Sequence, residues 1–244
     1  MNRRVRAVIR KEFTEYRRNK LIVITMVLLP AFFLLLVARS TFTLPATAPP
    51  GLLRALLGNA RLFLLLIPLI LPGTIAAYSV IGEREQGALE PVLTTPATDG
   101  ELLLAKALAP AVPSVGLSWV LYAVYLTGAA ALAPPIVLRE MGSATQIVSE
   151  ILLAPALAGF AIIVGLLISA RSTDIRVAQQ LSALVSAPLI GVIALTSFRL
   201  VGVSIWVFAG AAALIFALDA AGWALAVRAF SRERLLARYG REGP

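Results

Sequence analysis

Residues 62–81 read LFLLLIPLILPGTIAAYSVI, twenty positions without a charged side chain. A helix rises 1.5 Å per residue, so a run of this length matches the roughly 30 Å hydrocarbon core of a bilayer. Immediately after it the chain turns polar, at Gly82-Glu83-Arg84-Glu85. Working outward, the same alternation recurs. Apolar runs lie near Leu21–Ala38, Leu102–Ala133, Ile151–Ala170, Val177–Ser197 and Val201–Val227, with short polar connections between them. The reading is an all-α polytopic membrane protein with six transmembrane helices. Pro110 and Pro113 interrupt the third run on paper. That run is long enough to accommodate a kink or a tilt.

The composition agrees. Of 244 residues, 59% are hydrophobic and 14% are charged, against about 25% charged in soluble domains. Such a chain has too little polar surface to cover a soluble core. Cysteine and histidine are absent, which removes disulfides, thiolate nucleophiles, imidazole bases and the usual zinc or haem ligands. The net charge of +9 does not indicate nucleic acid, because the basic residues cluster at the ends of apolar runs and not along an aromatic-studded groove.

Those basic residues set an orientation. With six spans, 17 of the 22 fall on the side of the N-terminus, including Arg3 to Lys20, Arg84, Lys106, Arg171, Arg176 and the arginines from Arg228 onward. Only Arg39, Arg54, Arg61, Arg139 and Arg199 fall on the other. An excess of that size over short loops places both termini in the cytoplasm of a prokaryotic plasma (inner) membrane. The first run reads as an ordinary span and not a cleaved signal peptide, since no small-residue cleavage site follows it. The external segment Arg39–Arg61 carries Pro45, Pro49 and Pro50. Its apolar stretch Leu52–Leu57 is expected to lie along the outer interface.

Two cytoplasmic features stand apart. In residues 1–20, Val5, Val8, Ile9, Phe13 and Tyr16 recur at helical spacing among basic residues. This predicts an amphipathic helix lying on the inner leaflet, its arginines reaching toward anionic lipid headgroups. A disordered basic tail is the alternative. Residues 21–244 then form the transmembrane domain, with a distinctive loop at residues 82–101, GEREQGALEPVLTTPATDGE. Glu83, Arg84 and Glu85 form a charged cluster, and Leu89, Val92 and Leu93 make a small apolar face beside Glu90. Thr98 and Glu101 have capping-box spacing, so the third span's helix is expected to begin near Thr98. The loop is suited either to a groove on a soluble partner or to packing on its own bundle; spacing leaves both open.

This loop resembles the signature of ABC-2 type transporter permeases, a variant of E-R-E-x-G-T-L-E-x-L-L-x-T-P followed by an acidic residue and a G-K or A-K pair. The matching positions are Glu83, Arg84, Glu85, Gly87, Leu89, Glu90, Val92, Leu93, Thr95, Pro96, Glu101 and Lys106. Ala88 departs where threonine is common, and Ala105 where glycine often precedes the lysine. Lys11 and Glu12 and the six-span plan also resemble the family.

The resemblance implies half of a transmembrane dimer, formed with a second copy or a paralogous permease, in an ATP-driven exporter. It makes Glu83, Arg84, Glu85, Leu89, Glu90, Val92 and Leu93 a coupling helix that docks on a separate ATP-binding subunit. This chain lacks a GxxxxGK[ST] loop, so ATP and Mg²⁺ are expected on that partner, with no cofactor bound here. Membrane lipids are the other expected contact. A secondary transporter or a non-catalytic assembly protein is the alternative, although duplicated halves are not evident. A membrane enzyme would need convergent catalytic groups, and Asp219 stands alone within the sixth run. Asp219 is either a cation, substrate or coupling contact or a structural hydrogen-bonding group.

Overall fold

A computed structural model describes residues 3–18, 20–45, 47–85, 98–172, 174–198 and 204–229. Eight helices run in order through these segments: α1 Arg3–Arg18, α2 Lys20–Phe42, α3 Pro50–Glu85, α4 Asp99–Leu132, α5 Pro135–Met141, α6 Ala144–Ser169, α7 Ile175–Ser197 and α8 Ile205–Ala229. Five of them are long and apolar enough to cross a membrane: α3, α4, α6, α7 and α8. Within α2, a shorter apolar stretch spans Met26–Phe42 among the described residues. The chain is therefore an all-α, multi-pass membrane protein with five clear spans.

Burial separates the spans into a centre and a periphery. The apolar windows of α3 and α6 are 78% and 61% buried, whereas those of α4, α7 and α8 are each 22% buried. α3 and α6 form the closest pair, α8 packs on α6, and α7 and α4 flank α3. Large side chains such as Val124, Leu184, Trp206 and Leu214 are left exposed on the peripheral helices. In a hydrocarbon solvent such exposure is favourable and needs no partner.

The central pair is close because its seam is small. A Cβ added at Gly165 of α6 would lie 2.8 Å from the Gly73 carbonyl oxygen and 3.0 Å from the Ala76 Cβ of α3. Without a hydrophobic driving force between helices in lipid, this backbone approach supplies the van der Waals contact that holds them. Gly222 of α8 similarly makes room for Ile163 of α6.

One sequence expectation is corrected. The stretch Leu52–Leu57 does not form a separate interfacial segment; it is the first part of α3, which runs for 36 residues from Pro50. Pro49 and Pro50 explain this, because proline fits the first turn of a helix, where its missing N–H has no partner to lose. Leu57 is buried in a cluster with Leu64, Tyr125, Val137 and Met141, and Leu53 packs against that cluster. The third span, by contrast, runs as expected through Pro110 and Pro113, for α4 is one helix of 34 residues. The short α5 was not anticipated. It starts at Pro135, ends at Gly142, and buries Val137 and Met141 at the end of the bundle opposite α1.

Candidate functional site

The junction at the α1 end of the bundle follows from local sequence. Thr98 is the N-cap of α4: its hydroxyl accepts a hydrogen bond from the Glu101 N–H at 3.3 Å. Glu101 Oε2 accepts one from the Thr98 N–H at 2.9 Å, completing the expected capping box. The cap fixes the start of α4. Of the predicted coupling residues, Glu83, Arg84 and Glu85 belong to the last turn of α3. Leu89, Glu90, Val92 and Leu93 lie outside the described residues.

α1 packs beneath this junction. Val5 and Tyr16 are buried, and Val8, Ile9 and Phe13 are half-buried, so the stripe read from the sequence meets protein along much of its length. Arg6, Arg10, Arg17 and Arg18 are exposed. Glu12 lies on the inward face as well, 3% exposed, and its Oε1 is 3.3 Å from the Nζ of Lys106, which is fully buried in α4. Sequence reading missed this pair. One of two acids in a charge-rich helix gives no local sign of burial, and the one available signal was that both residues fall within the family-like motifs.

A second polar group gathers at the opposite end. Arg61 of α3 is 5% exposed; it reaches Glu140 of α5 at 3.5 Å and donates to the Ser197 carbonyl at the end of α7. Ser118 of α4 donates to Oε1 of the buried Glu150 of α6 at 2.8 Å. The Tyr122 hydroxyl donates to the Met141 carbonyl, and the Tyr125 hydroxyl donates to Thr41 of α2 at 3.0 Å. Six helices are thereby joined by polar contacts that water cannot replace in a dry interior. Between them a cleft of about 130 Å³ opens beside Arg54, Arg61 and Glu140.

Two features lie deeper. Gln179, Ser182 and Ser186 of α7 recur on one face and line a cleft of about 170 Å³ against Ile70 and Gly73 of α3. Asp219 falls within α8, and its carboxylate oxygens are occluded, with no hydrogen-bond donor among the described residues. It is received by Gly159 of α6, where an added Cβ would lie 2.5 Å from Asp219 Oδ2. No group of three or more acidic, histidine or cysteine side chains converges among the described residues as a metal site.

The architecture is that of a multi-pass bundle with a capped junction following a family-like loop. A family profile described as ABC-2 family transporter protein matches residues 8–177, more than two thirds of the chain. The chain belongs to this ABC-2 transporter family. The matched region contains α2 to α6 entire, the loop at residues 82–101, and both partners of the Glu12–Lys106 pair. No curated protein matches the chain. As a member of the ABC-2 family it is a membrane transport protein.

Proposed function

We propose that this chain is the permease subunit of an ATP-driven exporter of the ABC-2 type, forming half of a translocation pathway. The observation that carries the reading is the family match over residues 8–177, joined to the charged and apolar loop at residues 82–101. In this reading α2 is the first of six spans, and the basic bias puts both termini and the loop in the cytoplasm. α1 rests at the inner interface, with its exposed arginines near lipid headgroups.

The loop docks on a separate ATP-binding subunit, which holds ATP and Mg²⁺. Leu89, Val92 and Leu93 supply the apolar anchor. Glu83, Arg84, Glu85 and Glu90 set register and discourage wrong partners. Nucleotide-driven closure of the ATPases then shifts a dimer of permeases, two copies of this chain or this chain with a paralogue, between inward- and outward-open populations. Asp219 is a polar site within the moving helices.

The test is gentle solubilisation and purification of the tagged chain. A soluble ATPase is expected to co-purify at one copy per permease and to be lost from Leu89→Asp, with membrane insertion intact. A chain that transports in the absence of nucleotide, with no ATPase retained, would refute the proposal.

A further inference from the structure

α1 and the start of α4 meet at three successive levels. Val8 packs against the cluster that holds Leu102 and Leu103. One turn on, Glu12 pairs with Lys106 at 3.3 Å. One turn further, Tyr16 clusters with Ala109 and Ile75. The contacts advance in the same direction, and by nearly equal steps, along both helices. α1 is therefore laid parallel to the first three turns of α4, which begin at the Thr98 cap.

An ion pair this deeply buried is weak evidence for stability. Desolvating both charges offsets most of their attraction, and well-packed apolar residues would serve the fold as well or better. What such a pair supplies is register. The levels on either side, valine and tyrosine against leucine and alanine, pack through side-chain contacts that are less specific for register than a charge pair. A slip would pull the Glu12 carboxylate away from the Lys106 ammonium while both stay out of water, which is costly.

We infer that Glu12 and Lys106 are a positioning pair that locks α1 and the first three turns of α4 into one body. Displacement delivered to the segment before Thr98 is thereby carried into α1, and through Lys20 into α2. The transmission half of this inference rests on the coupling role proposed for residues 82–101; the register half does not.

The chain has no cysteine, so spin labels can be placed by Thr14→Cys and Leu104→Cys, both exposed positions near the pair. Distances are measured on the full chain in nanodiscs, alone and with its co-purified ATPase under ADP and under a non-hydrolysable ATP analogue. The native pair is expected to give one narrow distance in every state. The double variant Glu12→Met with Lys106→Met, which removes both charges of the pair together, is expected to show at least two distances, separated by about one helical turn of roughly 5 Å. In the complex, its nucleotide-driven change between α2 and α8, read from a second label pair at the exposed positions Leu28→Cys and Leu214→Cys, should fall at least fivefold. The charge swap, Glu12→Lys with Lys106→Glu, should restore the single distance.

A methionine pair that keeps one narrow distance would overturn the register lock. One whose distances multiply while the nucleotide response stays at native size would overturn the transmission. Loss of the ATPase from the unmodified chain would count against the coupling proposal alone, since the register is read from the chain by itself.

Discussion

Asp219 and Gly159 are a matched pair of opposites, a carboxylate in an apolar helix and a residue with no side chain to obstruct it. A carboxylate kept from hydrogen bonds in a bilayer is costly unless something other than stability retains it. Asp219→Asn keeps the shape and removes the acid. It is expected to leave expression and assembly near native and to reduce transport severalfold, measured at matched protein levels in vesicles. Gly159→Val fills the notch instead. Overpacking should destabilise the chain by about 1–3 kcal/mol, read as lower thermal stability in detergent. At the far end, Tyr122→Phe removes the donor to the Met141 carbonyl. Leaving that buried acceptor unpaired should cost about 1–3 kcal/mol, checked the same way. These residues were not equally legible. Asp219 announces itself because it interrupts an apolar run. Glu12 hides among charges, and Arg61, Glu140 and Glu150 read as loop-end residues because their burial depends on partners far away in sequence.

Among the elements, those specified by local chemistry were the ones the sequence revealed. The start of α4 was readable from Thr98 and Glu101, whose capping box depends only on residues three apart. Thr98→Ala should cost about 1 kcal/mol and raise hydrogen exchange in the first turn of α4 while leaving its membrane part protected. The start of α7 is set by the same kind of local chemistry, Asp174 accepting from the N–H groups of Arg176 and Val177, a cap that the reading of the sequence passed over. α5 was not legible. Seven residues are too few to show a period, and its stability comes from Val137 and Met141 entering a core built by α2, α3 and α4. The outer part of α3 was misread because its prolines were taken as loop formers, where Pro50 in fact opens a helix. For the coupling element, Glu90→Lys should reduce ATPase retention and ATP-driven transport together without affecting insertion.

For the whole molecule, hydropathy and the basic bias specified a membrane bundle, but not which helices form its centre. That depended on Gly73, Gly165 and their alanine neighbours, small residues whose importance appears only when two helices are brought together. The orientation is directly testable because the chain contains no thiol. A membrane-impermeant maleimide should label Arg139→Cys from outside intact cells, and should label Thr14→Cys only after the membrane is opened. Labelling of both from one side would remove the six-span topology.

α3 has a mechanical consequence. At 1.5 Å per residue its 36 residues extend about 54 Å, well beyond the roughly 30 Å hydrocarbon thickness. One helix thus carries Arg54 near its first end, Arg61 about a third of the way along, and Glu83, Arg84 and Glu85 at its last. If it pivots near its middle by 5°, each tip swings by roughly 2 Å in opposite senses on a helix of that length. A push on one face of the membrane then becomes a pull on the other, with no wire of side chains needed to relay it.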